Sequence, residues 1–138
     1  MTKLLIDTNI VLDLLANREP FYDGAAQIFS LADKHKVILS VSSLSFATVY
    51  YILSKSYQAP EVRAVLRKLK ILVNVLALNE KIIELALNND KFDDFEDGLQ
   101  YYTAVENGQD IILTRNQKDF KKSVIPVMNA DEYLVSIA

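Results

Sequence analysis

Five oxygen-bearing side chains stand out by type and spacing: Asp7, Asp94, Asp97, Asn116 and Asp119. Crowded carboxylates repel one another and are costly to desolvate unless a proton or a cation neutralises them. The chain has one His, no Cys and no Trp. Paired-histidine and thiolate metal sites are therefore excluded, and so are thiol catalysis and a disulfide scaffold. What remains is hard-cation chemistry. Mg²⁺ and Mn²⁺ favour oxygen ligands, and such an ion activates water and stabilises charge on a phosphodiester. Each residue also has a plainer use. Asp7 precedes Thr8 and Asn9 and suits a helix cap. Asp94 and Asp97 have the spacing of an acidic capping box, and Asn116 and Asp119 suit a turn. The cation reading prevails only if the acids gather in one place.

The surrounding elements decide that. Lys3 to Ile6 reads as a short buried strand stopped by Asp7, and Ile10 to Ala16 as a helix ended near Asn17 and Pro20. Gly24 to Lys34 is amphipathic. Val37 to Val41 predicts a second strand, and Leu44 to Lys55, apolar on most sides, a buried helix. Pro60 opens a further helix, with Val62, Val65, Leu66 and Leu69 inward and Arg63, Arg67, Lys68 and Lys70 outward. Val73 to Leu78 predicts a third strand, and Asn79 caps a helix over Glu80 to Leu87. Asn88 to Asp93 reads as loop. Asp97 to Asn107 reads as helix, stopped by Gly108. Asp110 to Leu113 is a fourth strand, Ser123 to Val127 a weaker fifth, and Asn129 to Ile137 a closing helix.

Short apolar strands alternating with helices predict an α/β fold in three layers, α/β/α, around a mainly parallel sheet of four to five strands. Sites in such sheets form at the carboxyl ends of the strands. Asp7 follows the first strand, Thr114, Arg115 and Asn116 follow the fourth, and Asp97 opens a helix whose amino end lies at the same edge. The five candidates can therefore converge.

Composition sets the outer limits. The chain has 138 residues, a net charge of −3, 51% hydrophobic and 24% charged residues. No linker or repeat divides it, so one domain over residues 1–138 is expected. No apolar run approaches the roughly 20 residues that span a bilayer. Lys3 is followed too soon by Asp7 for an export signal. The expectation is a soluble, cytoplasmic protein with no membrane partner. Mild acidity argues against a broadly basic nucleic-acid surface but leaves room for a local basic patch. No G-x-G-x-x-G or P-loop is present, and Lys118 sits poorly for a phosphoacceptor domain of the receiver type.

The opening L-L-I-D-T-N-I-V-L-D-L-L (residues 4–15), the stretch D-G-L-Q-Y-Y-T-A (residues 97–104) and I-I-L-T-R-N-Q-K-D-F (residues 111–120) occur in an order and at separations that resemble the PIN domain family, in particular VapC-type ribonuclease toxins. The resemblance runs from about residue 3 to about residue 130. It implies an endoribonuclease dependent on Mg²⁺ or Mn²⁺, acting on RNA and leaving 5′-phosphate and 3′-hydroxyl ends. It also implies a possible antitoxin partner and a homodimer. Carried over by position, Asp7, Asp97 and Asp119 are the catalytic and metal-binding acids, with Asp94 a supplementary ligand. Asn9, Thr114 and Asn116 are the groups beside them that orient the ligands.

One departure matters. In S-S-L-S-F-A-T-V (residues 42–49), Thr48 stands where the family usually carries Glu. Threonine supplies no negative charge. The alternative reading is thus a catalytically degenerate PIN-fold module that binds RNA or protein. Arg115 and Lys118 are the candidate RNA-phosphate contacts, backed by Lys121 and Lys122, although Arg115 could pair with an acid instead. Tyr50, Tyr51, Tyr101 and Tyr102 suit base stacking, core packing or a subunit interface. Asp13, Arg18 and Glu19 read as surface groups, with Arg18 near Asp7 in sequence, and His35 has no assigned role.

Overall fold

In the computed structural model, which describes residues 1–138, the strand Lys3–Ile6 (β1) lies at the middle of a five-stranded sheet. The other strands are Ile38–Ser42 (β2), Asn74–Leu76 (β3), Ile111–Leu113 (β4) and Val127–Met128 (β5), in the order β3-β2-β1-β4-β5, all parallel. The chain builds outward from β1 through β2 to β3, then returns to the other side of β1 with β4. The order thus reverses between β1 and β4, and at such a switch point the carboxyl ends of the two strands open a crevice.

The helices explain why β1 is apolar on both faces beyond Lys3. Leu4 and Ile6 of β1 face one core, with Ile10 and Val11 of α1 (Thr8–Leu15), Ile28 and Phe29 of α2 (Tyr22–Asp33), Val49 of α3 (Ser43–Leu53) and Val62 and Leu69 of α4 (Ala59–Leu72). Leu5, pointing the other way, joins Ile112, Ile82 of α5 (Glu80–Asn88) and Leu99, Tyr101 and Tyr102 of α6 (Phe95–Glu106). Alternate residues of one strand are buried on both faces, as a parallel sheet covered by two helical layers requires. Tyr133 of α7 (Ala130–Ser136) closes the first core. No helix is long and apolar enough to cross a membrane.

Five expectations need correction. α1 starts at Thr8 and α6 at Phe95, each earlier than the apolar periodicity suggests. Asp7 and Asp94 act as caps, accepting from the N–H of Thr8 and Asp97 respectively. β5 begins at Val127, not Ser123: Ser123 Oγ donates to the Ile125 carbonyl and accepts from its N–H, which folds that segment into a turn before Pro126. α3 is not buried on most sides. Only Ser45, Val49 and Leu53 are buried, one stripe at helical spacing, while Tyr51 is 66% exposed. Asp13 is not a surface group; it is 1% exposed.

Candidate active site

Asp7 is the first residue beyond β1, and its N–H continues the sheet by donating to the Leu113 carbonyl at 2.9 Å. That bond fixes its carboxylate at the mouth of the β1–β4 crevice. Three donors reach it: the Thr8 N–H at 2.8 Å, the Thr114 hydroxyl at 2.9 Å and the Asn9 amide at 3.2 Å. Thr114 is fully buried and its bonding is directional. Its single proton goes to Asp7, so its lone pairs receive the N–H of Asn116 at 3.0 Å and the amide of Asn9 at 3.3 Å. Asn9 in turn accepts from the Arg115 N–H at 3.2 Å. Asn9 and Thr114 therefore hold the Asp7 carboxylate, as expected. Asn116 contributes through its backbone.

α6 delivers the next acids. Asp94 caps the helix through the N–H of Asp97 at 3.1 Å, which places Asp97 in the first turn. A single 3₁₀ turn over Gln117–Phe120 carries Asp119, whose N–H bonds the Asn116 carbonyl at 3.0 Å. Asp7, Asp94, Asp97, Asn116 and Asp119 line one cavity of about 300 Å³, together with Glu96, Thr48, Gln100 and Arg18. Asp7 and Asp94 both cap a helix through one carboxylate oxygen, and both side chains still stand on the cavity wall.

The electrostatics follow from this crowding. Burial pushes the Asp97 carboxyl up to about 7, and the charges of Asp94, Asp7, Asp119 and Glu96 add to the effect. Burial also raises the proton affinity of Asp7, against the lowering influence of its three hydrogen bonds. At neutral pH the cavity thus holds more negative charge than its surroundings stabilise. As arranged, no three of these carboxylates stand close enough to hold one ion jointly. Gln100 supplies an independent sign of an unmet polar demand. It is 3% exposed, its amide donates to Ser45 Oγ at 2.9 Å, and its oxygen has no partner. A wall rich in carboxylate and amide oxygens, with a single arginine and an orphaned amide oxygen, fits a hard divalent cation.

Asp94, Asp97 and Asp119 also border a second cavity of about 500 Å³, whose remaining walls are Asp93 and the lysines 91, 118, 121 and 122. Lys118 is therefore beside the acids, as the sequence suggests. Arg115, the other candidate RNA contact, pairs with an acid instead of lining either cavity of the acids. Its guanidinium binds Asp13 bidentately, at 2.8 and 3.0 Å, and lies 4.0 Å over the Phe21 ring. A carboxylate as buried as Asp13 needs a cation, and Arg115 is the one that meets it. Glu96, which the sequence offers beside Asp94 as an acid to compensate for Thr48, lines the cavity, and so does Arg18, which the sequence marks only by its nearness to Asp7. Gln100 is the residue that sequence reasoning missed; its signal is its place one helical turn beyond Asp97 on the same face.

A PIN domain family model matches residues 3–118. The chain belongs to the PIN domain family. It is 32% identical to Ribonuclease VapC1 of Aquifex aeolicus (strain VF5), over 95% of this chain and 92% of that protein. Among solved structures it is similar in fold to a chain of a toxin–antitoxin complex from Klebsiella pneumoniae, with a TM-score of 0.70, 22% identity and 92% and 97% of the two chains covered. It is likewise similar to a chain of VapBC2 from Rickettsia felis bound to a promoter DNA fragment, with a TM-score of 0.68, 18% identity and 93% and 98% covered.

Proposed function

We propose that this chain is an endoribonuclease dependent on Mg²⁺ or Mn²⁺, and the toxin of a toxin–antitoxin pair. The observation that carries the reading is geometric: Asp7, Asp97 and Asp119, far apart in sequence, share one cavity at the β1–β4 switch point. The similarity to Ribonuclease VapC1 along nearly the whole chain supports the reaction class. The likeness to toxins solved in complex with their antitoxins supports the partner.

Asp7, Asp97 and Asp119 would hold the cation, with Asp94 as a supplementary ligand. When bound, the ion supplies an activated water and a counter-charge for the phosphodiester. The chain's own contribution is positional. Thr114 and Asn9 hold the Asp7 carboxylate at the cavity and counter the rise in proton affinity that burial causes, and the α6 cap fixes Asp97 in the first helical turn. The lysines along the adjoining cavity, Lys118 among them, offer positive charge to a backbone entering between the acids. Exposed α3, with Tyr51 outward, leaves an aromatic surface for the antitoxin or for a second copy of the chain.

The test is cleavage of a labelled single-stranded RNA by the purified chain with Mn²⁺, with Mg²⁺ and with chelator. Cleavage by the wild type that chelator stops and Asp7→Asn abolishes is the expected result. Equal cutting by wild type and Asp7→Asn overturns the reading. Tight RNA binding with neither cleavage nor Mn²⁺ binding would instead establish the degenerate module that Thr48 suggests.

A further inference from the structure

The acidic cavity contains one cation that none of the acids has claimed. Arg18 lines it with Asp7, Asp94, Glu96, Asp97 and Asp119. Yet the only ion pairs in the chain are Lys81–Glu106 and Arg115–Asp13. The Arg18 side chain makes no hydrogen bond and covers no aromatic ring, unlike Arg63, Arg115 and Lys55, which lie over Tyr50, Phe21 and Tyr51. A guanidinium among carboxylates ordinarily forms a bidentate pair. Here it forms none, although the main chain that carries it is fixed. α1 ends at Leu15, and Asn17, two residues on, turns the chain with a positive φ of 51°. The Arg18 N–H then donates to the Asp13 carbonyl at 3.1 Å, and its own carbonyl accepts from the Phe21 N–H at 3.0 Å. Asp13 is itself fixed by Arg115. Arg18 is therefore only partly exposed and held on both sides of its Cα.

Thr48 borders the same cavity, and its hydroxyl donates to the Leu44 carbonyl of its own helix at 3.1 Å. The position that would bring a further carboxylate to this wall thus offers Arg18 nothing. An unpaired guanidinium facing a cation-binding cluster has a use only when an anion shares the cavity. The planar fork of arginine matches two oxygens of a phosphate.

We infer that Arg18 binds the non-bridging oxygens of the RNA phosphate being cut, a role that rests on the ribonuclease reading above. The lysine-lined cavity and Arg18 then flank the acids as two separate sources of positive charge. The lysines attract the backbone in general, whereas Arg18 acts at the reacting phosphate, where charge increases as the attacking oxygen approaches.

The experiment compares wild type, Arg18→Ala and Arg18→Lys, loaded with Mn²⁺, on one labelled single-stranded RNA. Melting temperature and Mn²⁺ affinity are measured alongside. Arg18→Ala is expected to lower kcat about 100-fold, the scale seen when one donor to a developing oxyanion is removed. KM should change little, because the lysines remain. Arg18→Lys should recover part of the loss, and added guanidinium ion should partly rescue Arg18→Ala but not act on wild type. The Ala variant should melt as wild type does and bind Mn²⁺ at least as tightly, since a neighbouring positive charge has gone. Cleavage by Arg18→Ala within a few-fold of wild type overturns the inference. So does a loss of activity matched by lower melting temperature and weaker Mn²⁺ binding, which would make Arg18 a structural prop. Should wild type cut no RNA at all, the ribonuclease reading falls separately. Arg18 is then judged by calorimetric binding of inorganic phosphate to the Mg²⁺-loaded protein: weaker binding by the Ala variant upholds its phosphate role, and equal binding ends it.

Discussion

The Thr114 hydroxyl donates to the Asp7 carboxylate at 2.9 Å, joining two strand ends 107 residues apart. Because the Asn116 N–H and the Asn9 amide also converge on that hydroxyl oxygen, the bond has one direction only. Thr114→Val keeps the shape and removes the donor. Asp7 then loses a bond that favours its ionised form, and two part-buried donors, the Asn116 N–H and the Asn9 amide, lose an acceptor. We expect a stability loss of about 1–3 kcal/mol, the cost of buried polar groups left unpaired. We also expect Mn²⁺ affinity to fall about 10- to 100-fold, as when a group orienting a metal ligand is lost. Urea denaturation and Mn²⁺ titration check both. Unchanged Mn²⁺ affinity would show that Thr114 serves the sheet and not the site.

Asp97 makes the metal-free protein sensitive to pH in the direction opposite to an ion-paired acid. Its carboxyl titrates near 7 when folded, against an ordinary value of 3.8. Between those values the folded state binds more protons than the unfolded, so stability falls as pH rises through the window and levels off above it. Asp97 is partly solvated, which discounts the effect; from pH 6 to pH 8 we expect a loss of about 1 kcal/mol. A divalent cation replaces the proton, so Mn²⁺ should stabilise the protein more at pH 8 than at pH 6. Asp97→Asn should flatten both trends. Thermal melts in chelator that rise or stay level between pH 6 and pH 8 would contradict this account.

Arg115 and Asp13 separate structural from substrate-binding charge. Were Arg115 an RNA contact, Arg115→Met would weaken RNA binding and leave stability alone. The structure predicts the reverse. Removing the guanidinium strands a carboxylate that is 1% exposed and takes away the cover over Phe21. A loss of about 3 kcal/mol is expected, near the lower end for a broken buried pair because Arg115 itself is partly solvated. Asp13→Asn combined with Arg115→Met should cost less than the sum of the two, since neither change then leaves a buried charge alone. Denaturation of the three variants, with RNA binding measured on each, decides it.

Much of this arrangement was readable from residue types. The strands are apolar on both faces because helices cover both, and that pattern alone places Asp7 and Thr114 at neighbouring strand ends. Convergence of Asp97 and Asp119 on Asp7 follows from the same edge. Residues whose partners lie far along the chain were not readable. Asp13 looks like a solvated helix position until Arg115, 102 residues later, is seen to bind it. Tyr51 on α3 looks like core because its helix is apolar on most sides, although only one stripe of it, Ser45, Val49 and Leu53, is buried. Arg18 carries no local pattern, and its place in the site is set by the turn that follows α1.

Thr48 gives the sharpest test of how complete the acid set is. Its hydroxyl is committed to the Leu44 carbonyl within α3, and it borders the cavity with Asp7 and Asp97. Thr48→Glu releases that internal bond, whose net worth is about 1 kcal/mol, and brings another carboxylate to an overcharged wall. Without a cation the variant should be less stable than wild type at pH 8, and the difference should shrink as pH falls and the acids protonate. With Mn²⁺ the added charge becomes favourable, and affinity for the ion should rise by about tenfold, or roughly 1.4 kcal/mol. Arg18 then also gains a possible partner, so the variant should bind Mn²⁺ more tightly while its kcat rises less than its metal affinity. Tighter Mn²⁺ binding with a large rise in kcat would mean that the native site is limited by its missing acid. Unchanged Mn²⁺ binding would mean that position 48 does not reach the cation at all.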